Sequence, residues 1–488
     1  MSELWRLGLG QAYQGLLAKD FTAEELVLDC LDRIKATEPA INACLTVLDE
    51  QAIQQAKELD RLGPDPQRPL WGVPLTVKDV FSLKGAPTTA GSKILENYLC
   101  SYEATVVQRL RQAGAVICAK TNCDEFAMGS STEFSAYGPT SNPWNTQRVP
   151  GGSSGGAAAS VAACQTPGGF GTDTGGSIRQ PAALCGCVGL KPTYGRVSRY
   201  GIIAYGSSLD QAGPFARSVK DCARLLASVA GPDGLDSTAS TIPVDDYLNP
   251  AELDVKQLTL GLPKELWSAS FSPEVETVLQ EAKTLLTKAG VNLKEVSLPS
   301  LKYSVASYYI LASAEASTNL ARYDGVRYGY RAPDRSGLAE LYLSSRSHGF
   351  GPEVQRRILL GTFVLSSGYY DAYFRKAAQV RRLIQQQYDA ALESCQFLLA
   401  PVSSIPAWPF GSFTNDPLTI YQLDMMTLPL NLAGAPGLSL PCGLGADGLP
   451  VGIQIMGRAF DESALLKAGS LIEQVFPPIG TPEVKAKE

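Results

Sequence analysis

The sequence predicts an α/β fold, because segments with a helical apolar repeat alternate with short apolar segments typical of buried strands. One such unit combines a helix at 103–113, a helix-ending Gly114 and an apolar segment at 115–119. A second unit places a helix between apolar segments at 258–262 and 291–298. With 488 residues, the chain is long enough to bury a large core.

The N-terminal segments are predicted to serve as scaffold. Thr22 and Glu25 form a capping-box pattern that opens a helix, and we expect Pro39 to end it. A strand is predicted at 43–48, and a helix capped by Asp49 is predicted to run to about Leu62.

A buried strand is predicted at 71–80 and is unusual because it contains Lys78, a residue type that is almost never fully buried without a partner. A helix without any charged residue follows at 154–164, and we expect it to be buried on all sides. The next segments predict an extended run at 168–174, a glycine turn, and a helix from Ile178 onward.

A polar segment rich in proline and glycine, residues 231–255, separates the predicted N-terminal part (1–230) from the C-terminal part (256–488). We interpret it as a linker or surface excursion, with both parts forming one compact domain. In the C-terminal part, Ser272 and Pro273 are predicted to open the helix between the two apolar segments. The remaining predictions are a mainly helical region at 303–392, a loop at 332–352 within it, and strands at 397–401 and 451–456.

The composition excludes several classes of protein. The formal net charge of −6 gives no general attraction for nucleic acid, so any RNA is expected to be held mainly by a partner. The eleven cysteines are odd in number and scattered, which favours reduced thiols and a cytoplasmic location. The sequence has no basic-then-apolar leader and no apolar run of membrane-spanning length, so neither secretion nor membrane insertion is expected.

Only one histidine, His348, occurs in the chain, which restricts the possible catalytic sites. A zinc site of the His-Glu-x-x-His type is excluded, and no metal site is predicted. Cys185 and Cys187 lack a second pair at metal-binding spacing, so we interpret them as small buried side chains. Any Ser-His-Asp triad would have to use His348.

The segment 150–181 is the candidate reaction centre, because nine glycines surround two separate serines, Ser153 and Ser177. It does not fit a phosphate-binding loop, since no lysine follows the glycines, and it fails the dinucleotide pattern at Thr174. It does match the Gly-x-Ser-x-Gly nucleophile elbow around Ser153, with His348 downstream. That alternative leaves Ser177 and Lys78 without a role.

A Ser-Lys site is the third possibility. Lysine acts as a base only when it is neutral, so its pKa must fall from about 10.4 to about 7–8. Burial in an apolar strand lowers the pKa of a lysine, and Lys78 has such a setting. Ser177 precedes a predicted helix, where free N–H groups favour negative charge.

Three motifs carry a family resemblance: Val73-Pro-Leu-Thr-Val-Lys-Asp79, Gly151-Gly-Ser-Ser-Gly-Gly156 and Gly171-Thr-Asp-Thr-Gly-Gly-Ser-Ile-Arg-Gln-Pro181. They resemble the amidase signature family, and the likeness covers nearly the whole chain. The resemblance implies a central mixed β-sheet covered by helices on both faces.

The resemblance also implies catalytic roles. Ser177 would form the acyl-ester, and Ser153 would bridge it to Lys78, the general base that later returns the proton to ammonia. Ser154 is a secondary candidate for the bridge. The implied oxyanion hole consists of backbone N–H groups of Thr174, Gly175, Gly176 and Ser177.

Two further regions, Ala314–Gly329 and Gly361–Ala372, resemble glutaminase subunits of tRNA-dependent amidotransferases. This implies hydrolysis of glutamine and transfer of ammonia to a partner that converts Glu-tRNA(Gln) to Gln-tRNA(Gln) with ATP. The implied assembly is a heterotrimer with B and C subunits. No cofactor is expected in this chain, and ATP and Mg are expected to be used by the partner.

A free amino-acid substrate needs an arginine for its α-carboxylate and a carboxylate for its α-ammonium group. The resemblance assigns these roles to Arg357 and Asp424, and assigns a hydroxyl contact to Tyr308. Taken alone, the three residues would indicate a solvated helix face, a helix cap and a core side chain. The neighbouring Tyr309 offers a second hydroxyl at an adjacent position.

Two alternatives to a glutaminase subunit remain open. One is a stand-alone amidase of the same family that acts on small aryl or aliphatic amides. The other is a scaffold that has kept the fold without the chemistry. The joint presence of Lys78, Ser153 and Ser177 speaks against the scaffold.

Overall fold

The computed structural model describes residues 3–333, 337–414 and 416–484, and these residues build a single eleven-stranded sheet. The strands are β1 Cys44–Val47, β2 Pro74–Lys78, β3 Val116–Thr121, β4 Gly168–Asp173, β5 Val188–Lys191, β6 Gln211–Ala216, β7 Thr259–Pro263, β8 Asn292–Val296, β9 Phe397–Pro401, β10 Gly437–Leu444 and β11 Pro450–Met456. Their order across the sheet is β1-β3-β2-β4-β6-β5-β10-β11-β9-β7-β8.

The sheet is mixed, as predicted. Strand β2 runs parallel to β3 and β4, and β7 runs parallel to β8 and β9, while the other neighbours are antiparallel. All residues of β2, β3, β4, β6, β9 and β11 are buried, which means that both faces of the sheet are covered. The carboxyl ends of β2 and β4 therefore meet at one edge, where ligands commonly bind in α/β proteins.

Helices cover the two faces of this sheet. They are α1 Leu9–Ala18, α2 Ala23–Ile41, α3 Asp49–Leu62, α4 Thr105–Gln112, α5 Gly155–Ala162, α6 Arg179–Cys185, α7 Val219–Ala227, α8 Lys264–Trp267, α9 Pro273–Lys288, α10 Ser304–Asn319, α11 Leu338–Gly349, α12 Pro352–Leu365, α13 Lys376–Leu392, α14 Pro417–Leu423, α15 Leu428–Ala433 and α16 Glu462–Glu473. In the described part of the chain, each helix is too short or too polar to cross a membrane.

Several local predictions are confirmed. Thr22 and Glu25 form a reciprocal capping box at α2, and the Ser272 side chain accepts the N–H of Val275 at the start of α9. Every residue of α5 is buried, as its lack of charge predicted. All eleven cysteines are free, and Cys185 and Cys187 are buried.

Two local predictions are wrong. Helix α2 continues past Pro39 to Ile41, because a proline in the last turn removes only one hydrogen bond and the buried Ile41 still packs against the core. Within the predicted loop at 332–352, helix α11 forms instead, with Leu341 buried and the Ser345 hydroxyl accepting the N–H of Ala332 at 3.1 Å.

The two predicted parts of the chain share one sheet, since β5 of the N-terminal part pairs with β10 of the C-terminal part. Residues 232–254 between them form no helix or strand. The division at 231–255 remains a prediction about the sequence, but the sheet itself is continuous across it.

Candidate active site

Lys78 is the last residue of β2 and is fully buried. Its Nζ lies 2.7 Å from Ser153 Oγ, 3.0 Å from Ser154 Oγ and 3.0 Å from Thr172 Oγ1. The lysine is thus surrounded by three hydroxyl groups and makes no ion pair among the described residues. The structure places both serines that were candidates for the bridge within reach of the lysine, with Ser153 the nearer.

Burial controls the charge of this lysine. Desolvation lowers the pKa of Lys78 to about 8, although the neighbouring Cys123, Asp124, Asp210 and Asp173 act in the opposite direction. A pKa near 8 leaves a usable fraction of neutral amine at neutral pH. That amine can accept a proton from Ser153.

Ser177 follows the glycine pair after β4 and is 7% exposed, at the edge of a small pocket. Among the described residues there is no direct hydrogen bond between the hydroxyls of Ser177 and Ser153. Catalytic hydrogen bonds are often long without substrate and tighten in the complex, so the missing bond is compatible with a proton relay from Ser177 to Ser153.

The loop before Ser177 is held by Asp173, the last residue of β4. Its carboxylate accepts the N–H of Gly176 at 2.8 Å and the N–H of Ile178 at 3.2 Å. In this structure the N–H of Gly176 already has an acceptor, and its role in the oxyanion hole stays a prediction. The N–H groups of Thr174, Gly175 and Ser177 remain as candidate donors.

Asp173 is part of a buried polar network. Arg179 donates to both of its carboxylate oxygens, at 3.1 and 3.2 Å, and Asn431 donates at 2.7 Å. Burial alone would raise the pKa of Asp173, but the charge of Arg179 and these hydrogen bonds lower it to about 2. The loop is thus anchored by a carboxylate that stays ionised at working pH.

The pocket beside Ser177 is narrow, with a cavity volume of about 10 Å³, which is room for about one water molecule. Its wall contains all three predicted substrate-binding residues. The lining residues are Ala127, Gly129, Ser130, Gly152, Gly175, Gly176, Ser177, Tyr308, Tyr309, Arg357 and Asp424. Residues from both parts of the sequence thus meet at one site.

Arg357 is buried, with 3% of its surface exposed, whereas the side chain of the adjacent Arg356 is 46% exposed. The solvated helix face that the pair suggested therefore applies to Arg356 alone. Arg357 donates to Glu353 at 2.7 Å and to the Tyr205 hydroxyl at 2.6 Å. These contacts fix the guanidinium, which is the group that best recognises a carboxylate.

Asp424 is also buried and accepts hydrogen bonds from Ser130 at 2.8 Å and from the Tyr309 hydroxyl at 2.6 Å. Burial raises the pKa of Asp424 to about 6, so it is mainly ionised at neutral pH and can receive an ammonium group. Of the adjacent tyrosines, Tyr309 holds Asp424, while the Tyr308 hydroxyl lies against Gly175, where a Cβ would come within 2.6 Å of it.

Sequence reasoning did not single out Thr172, Ser130 or Tyr205. Thr172 lies inside the glycine-rich segment on a buried strand, so a polar residue there was a detectable signal. Ser130 and Tyr205 carry no such local signal, because only the fold brings them to Asp424 and Arg357.

His348 lies elsewhere. It is exposed, its Nδ1 lies 2.7 Å from the carbonyl oxygen of Ser344 on its own helix, and it borders a different cavity. The structure brings no serine of the glycine-rich segment to it. The nucleophile-elbow alternative therefore has no base.

Known proteins resemble this chain over its full length. The profile of the Amidase family matches residues 25–466. The chain is 57% identical to the A subunit of the glutamyl-tRNA(Gln) amidotransferase of Nitratidesulfovibrio vulgaris, over 99% of each chain. It is 54% identical to the protein of the same description from Lawsonia intracellularis, over 98% of this chain and 99% of that one.

Two solved structures illustrate the range of the fold. The A subunit of the glutamyl-tRNA(Gln) amidotransferase of Thermotoga maritima has a TM-score of 0.82 and 39% identity, over 99% of each chain. The native peptide amidase of Stenotrophomonas maltophilia has a TM-score of 0.83 and 32% identity, over 98% of this chain and 99% of that one. The shared fold accommodates different amide substrates, and the chain described here belongs to the amidase family.

Proposed function

We propose that this chain is the glutaminase subunit of a glutamyl-tRNA(Gln) amidotransferase. The observation that carries the proposal is the pairing of a buried arginine, Arg357, and a buried aspartate, Asp424, in one small pocket beside Ser177. A cation and an anion in such a pocket match the α-carboxylate and α-ammonium of a free amino acid. The 57% identity to a protein of that description adds support.

The proposed reaction begins when neutral Lys78 takes the proton of Ser153, which takes the proton of Ser177. The Ser177 oxygen then attacks the side-chain amide carbon of glutamine. N–H groups of the loop before Ser177 stabilise the oxyanion. As the C–N bond breaks, the proton returns from Lys78 through Ser153 to the departing nitrogen and ammonia leaves. Water hydrolyses the resulting ester, which releases glutamate and restores Ser177.

The proposed partners are the B and C subunits of a heterotrimer. The partner would use ATP and Mg to activate the glutamate on Glu-tRNA(Gln) and would receive the ammonia. The net charge of −6 supports a division of labour in which tRNA is held mainly outside this chain. Eleven free cysteines support a cytoplasmic, reducing location.

The test is ammonia release from glutamine by the full chain together with its co-purifying subunits. We expect glutamine hydrolysis that depends on Ser177 and increases when Glu-tRNA(Gln) and ATP are added. Hydrolysis of simple amides by the lone chain, without glutaminase activity in the complex, would favour the stand-alone amidase.

A further inference from the structure

Glu125 is a buried carboxylate outside the catalytic group, with 3% of its surface exposed. Its Oε1 accepts the hydroxyl of Ser92, and its Oε2 accepts the N–H of Gly351 at 2.8 Å. The contact with Gly351 joins residues separated by 226 positions in the sequence. Gly351 packs so closely on the carboxylate that a Cβ there would overlap Oε2.

Gly351 is the residue that caps the N-terminus of α12. A glycine has no side chain with which to cap its own helix, and Pro352 after it has no N–H. Glu125 therefore supplies the acceptor that a capping-box glutamate would supply from within the helix. In its ionised form the carboxylate also lies at the positive end of the helix dipole.

Helix α12 carries Arg357, which lines the pocket beside Ser177, and Glu353, which accepts a hydrogen bond from Arg357. Glu125 itself begins the segment that contains Ser130, which lines the same pocket and donates a hydrogen bond to Asp424. Phe126 strengthens the junction, because its ring centroid lies 5.6 Å from that of Phe350. Glu125 thus connects the segment that contains Ser130 to the helix that contains Arg357. Both segments line the pocket that is proposed to bind the substrate.

We infer that Glu125 is a positioning residue that sets the place of Arg357 relative to Asp424 and Ser177, and so determines the affinity for the amino-acid end of the substrate. The inference rests on the proposed function. Glu125 has no hydrogen bond to Lys78, Ser153 or Ser177, so its effect falls on binding and not on the chemical step.

The test uses the full chain with its co-purifying subunits and measures kcat and KM for glutamine. We expect Glu125→Ala to raise KM at least tenfold and to leave kcat within threefold. Glu125→Gln keeps an acceptor oxygen, and burial already raises the pKa of Glu125 to about 7, so the neutral side chain should stay within threefold of the original KM. An unchanged KM in Glu125→Ala overturns the inference.

A double-mutant cycle separates positioning from general damage. If Glu125 acts through Arg357, Glu125→Ala should reduce kcat/KM by less than threefold once Arg357→Met is present. Additive losses would contradict the inference. Gly351→Ala keeps Glu125 but displaces its carboxylate, and it should raise KM in the same way. This variant replaces Glu125→Ala in the test if Glu125→Ala does not fold.

Glu133→Ala is the matched control. Glu133 borders the same cavity as Glu125, but it accepts the N–H of Gly411 at 2.7 Å and does not touch α12. Glu133→Ala should leave KM for glutamine unchanged. If it raised KM as much as Glu125→Ala does, the effect would come from disturbing the cavity and not from the contact between Glu125 and α12. If instead Arg357→Met leaves KM for glutamine unchanged, the proposed function itself fails, independently of Glu125.

Discussion

Lys78 shows most directly how a single residue determines the chemistry. Because Lys78 lies at the end of a buried strand, burial lowers its pKa and favours the neutral amine. Three hydroxyl groups surround this amine. A neutral amine has two N–H groups and one lone pair. If Ser154 and Thr172 accept the two N–H groups, the lone pair is directed at Ser153, which is the arrangement a base requires.

The pH dependence of kcat/KM follows from two groups. Lys78 has a lowered pKa of about 8, so it is protonated and inactive as a base below that pH, and activity should rise as pH increases through about 8. Asp424 has a raised pKa of about 6, so it becomes neutral below that pH and KM should increase there. Both pH dependences can be checked by measuring initial rates of glutamine hydrolysis from pH 5 to 9.5 at several glutamine concentrations. A rate that falls between pH 7 and 8.5 would contradict the lysine base.

Replacement of Arg357 tests substrate recognition. Arg357→Met removes a charge-assisted contact worth about 1.5–3 kcal/mol, so KM for glutamine should rise roughly 10- to 100-fold. Arg375→Met is the control, because its side chain is 65% exposed, pairs with Asp371 and does not line the pocket, so it should not affect KM. Equal effects of the two replacements would remove Arg357 from the site.

At this scale, the sequence was informative where chemistry restricts residue type. One histidine and one lysine inside a buried strand directed attention to Lys78, and the family motifs then assigned Ser153 and Ser177. The bond from Gly176 to Asp173 could not be predicted, because it depends on how the loop folds back on the strand end.

Among the elements, the turn between β4 and α6 carries the site. Gly176 has φ of +133° and packs against Thr427, so a side chain there is both strained and obstructed. Gly176→Ala should displace the loop N–H groups and lower kcat by about 10²- to 10³-fold. Gly448→Ala is the control, since Gly448 also has positive φ, +75°, but has open space around it. Equal loss in both would indicate a general folding defect.

The buried pair of Asp173 and Arg179 anchors the same turn. Asp173→Asn leaves the fully buried Arg179 without its counter-charge and should lower the free energy of unfolding by about 3–5 kcal/mol. Asp371→Asn removes an exposed ion pair with Arg375 and should change it by less than about 0.5 kcal/mol. Urea unfolding of both variants gives the comparison, and equal stabilities would contradict the anchoring role.

Elements were predicted well where composition was decisive, as for α5 and α9. Strands β6 and β10 contain Pro214 and Pro441 and were not recognised. Both strands are stabilised by pairing with neighbouring strands that are distant in the sequence. The strand propensity of their own residues therefore does not predict them. Helix α11 was missed for a related reason, since its stability comes from packing.

For the molecule as a whole, the proposed catalytic residues and the proposed substrate-binding residues come from different halves of the chain. Lys78, Ser153 and Ser177 belong to the part before residue 231, whereas Arg357 and Asp424 belong to the part after residue 255. The continuous sheet, joined at β5 and β10, brings Ser177 of the first part and Arg357 and Asp424 of the second part to one pocket.

Ser177 is the residue proposed to carry the acyl group of glutamine. The most direct measurement is peptide mass analysis of the assembled enzyme after acid quenching during glutamine turnover. We predict the added mass of one γ-glutamyl group on the peptide that contains Ser177, and its absence in Ser177→Ala. An adduct on Ser153, or continued turnover by Ser177→Ala, would contradict the account.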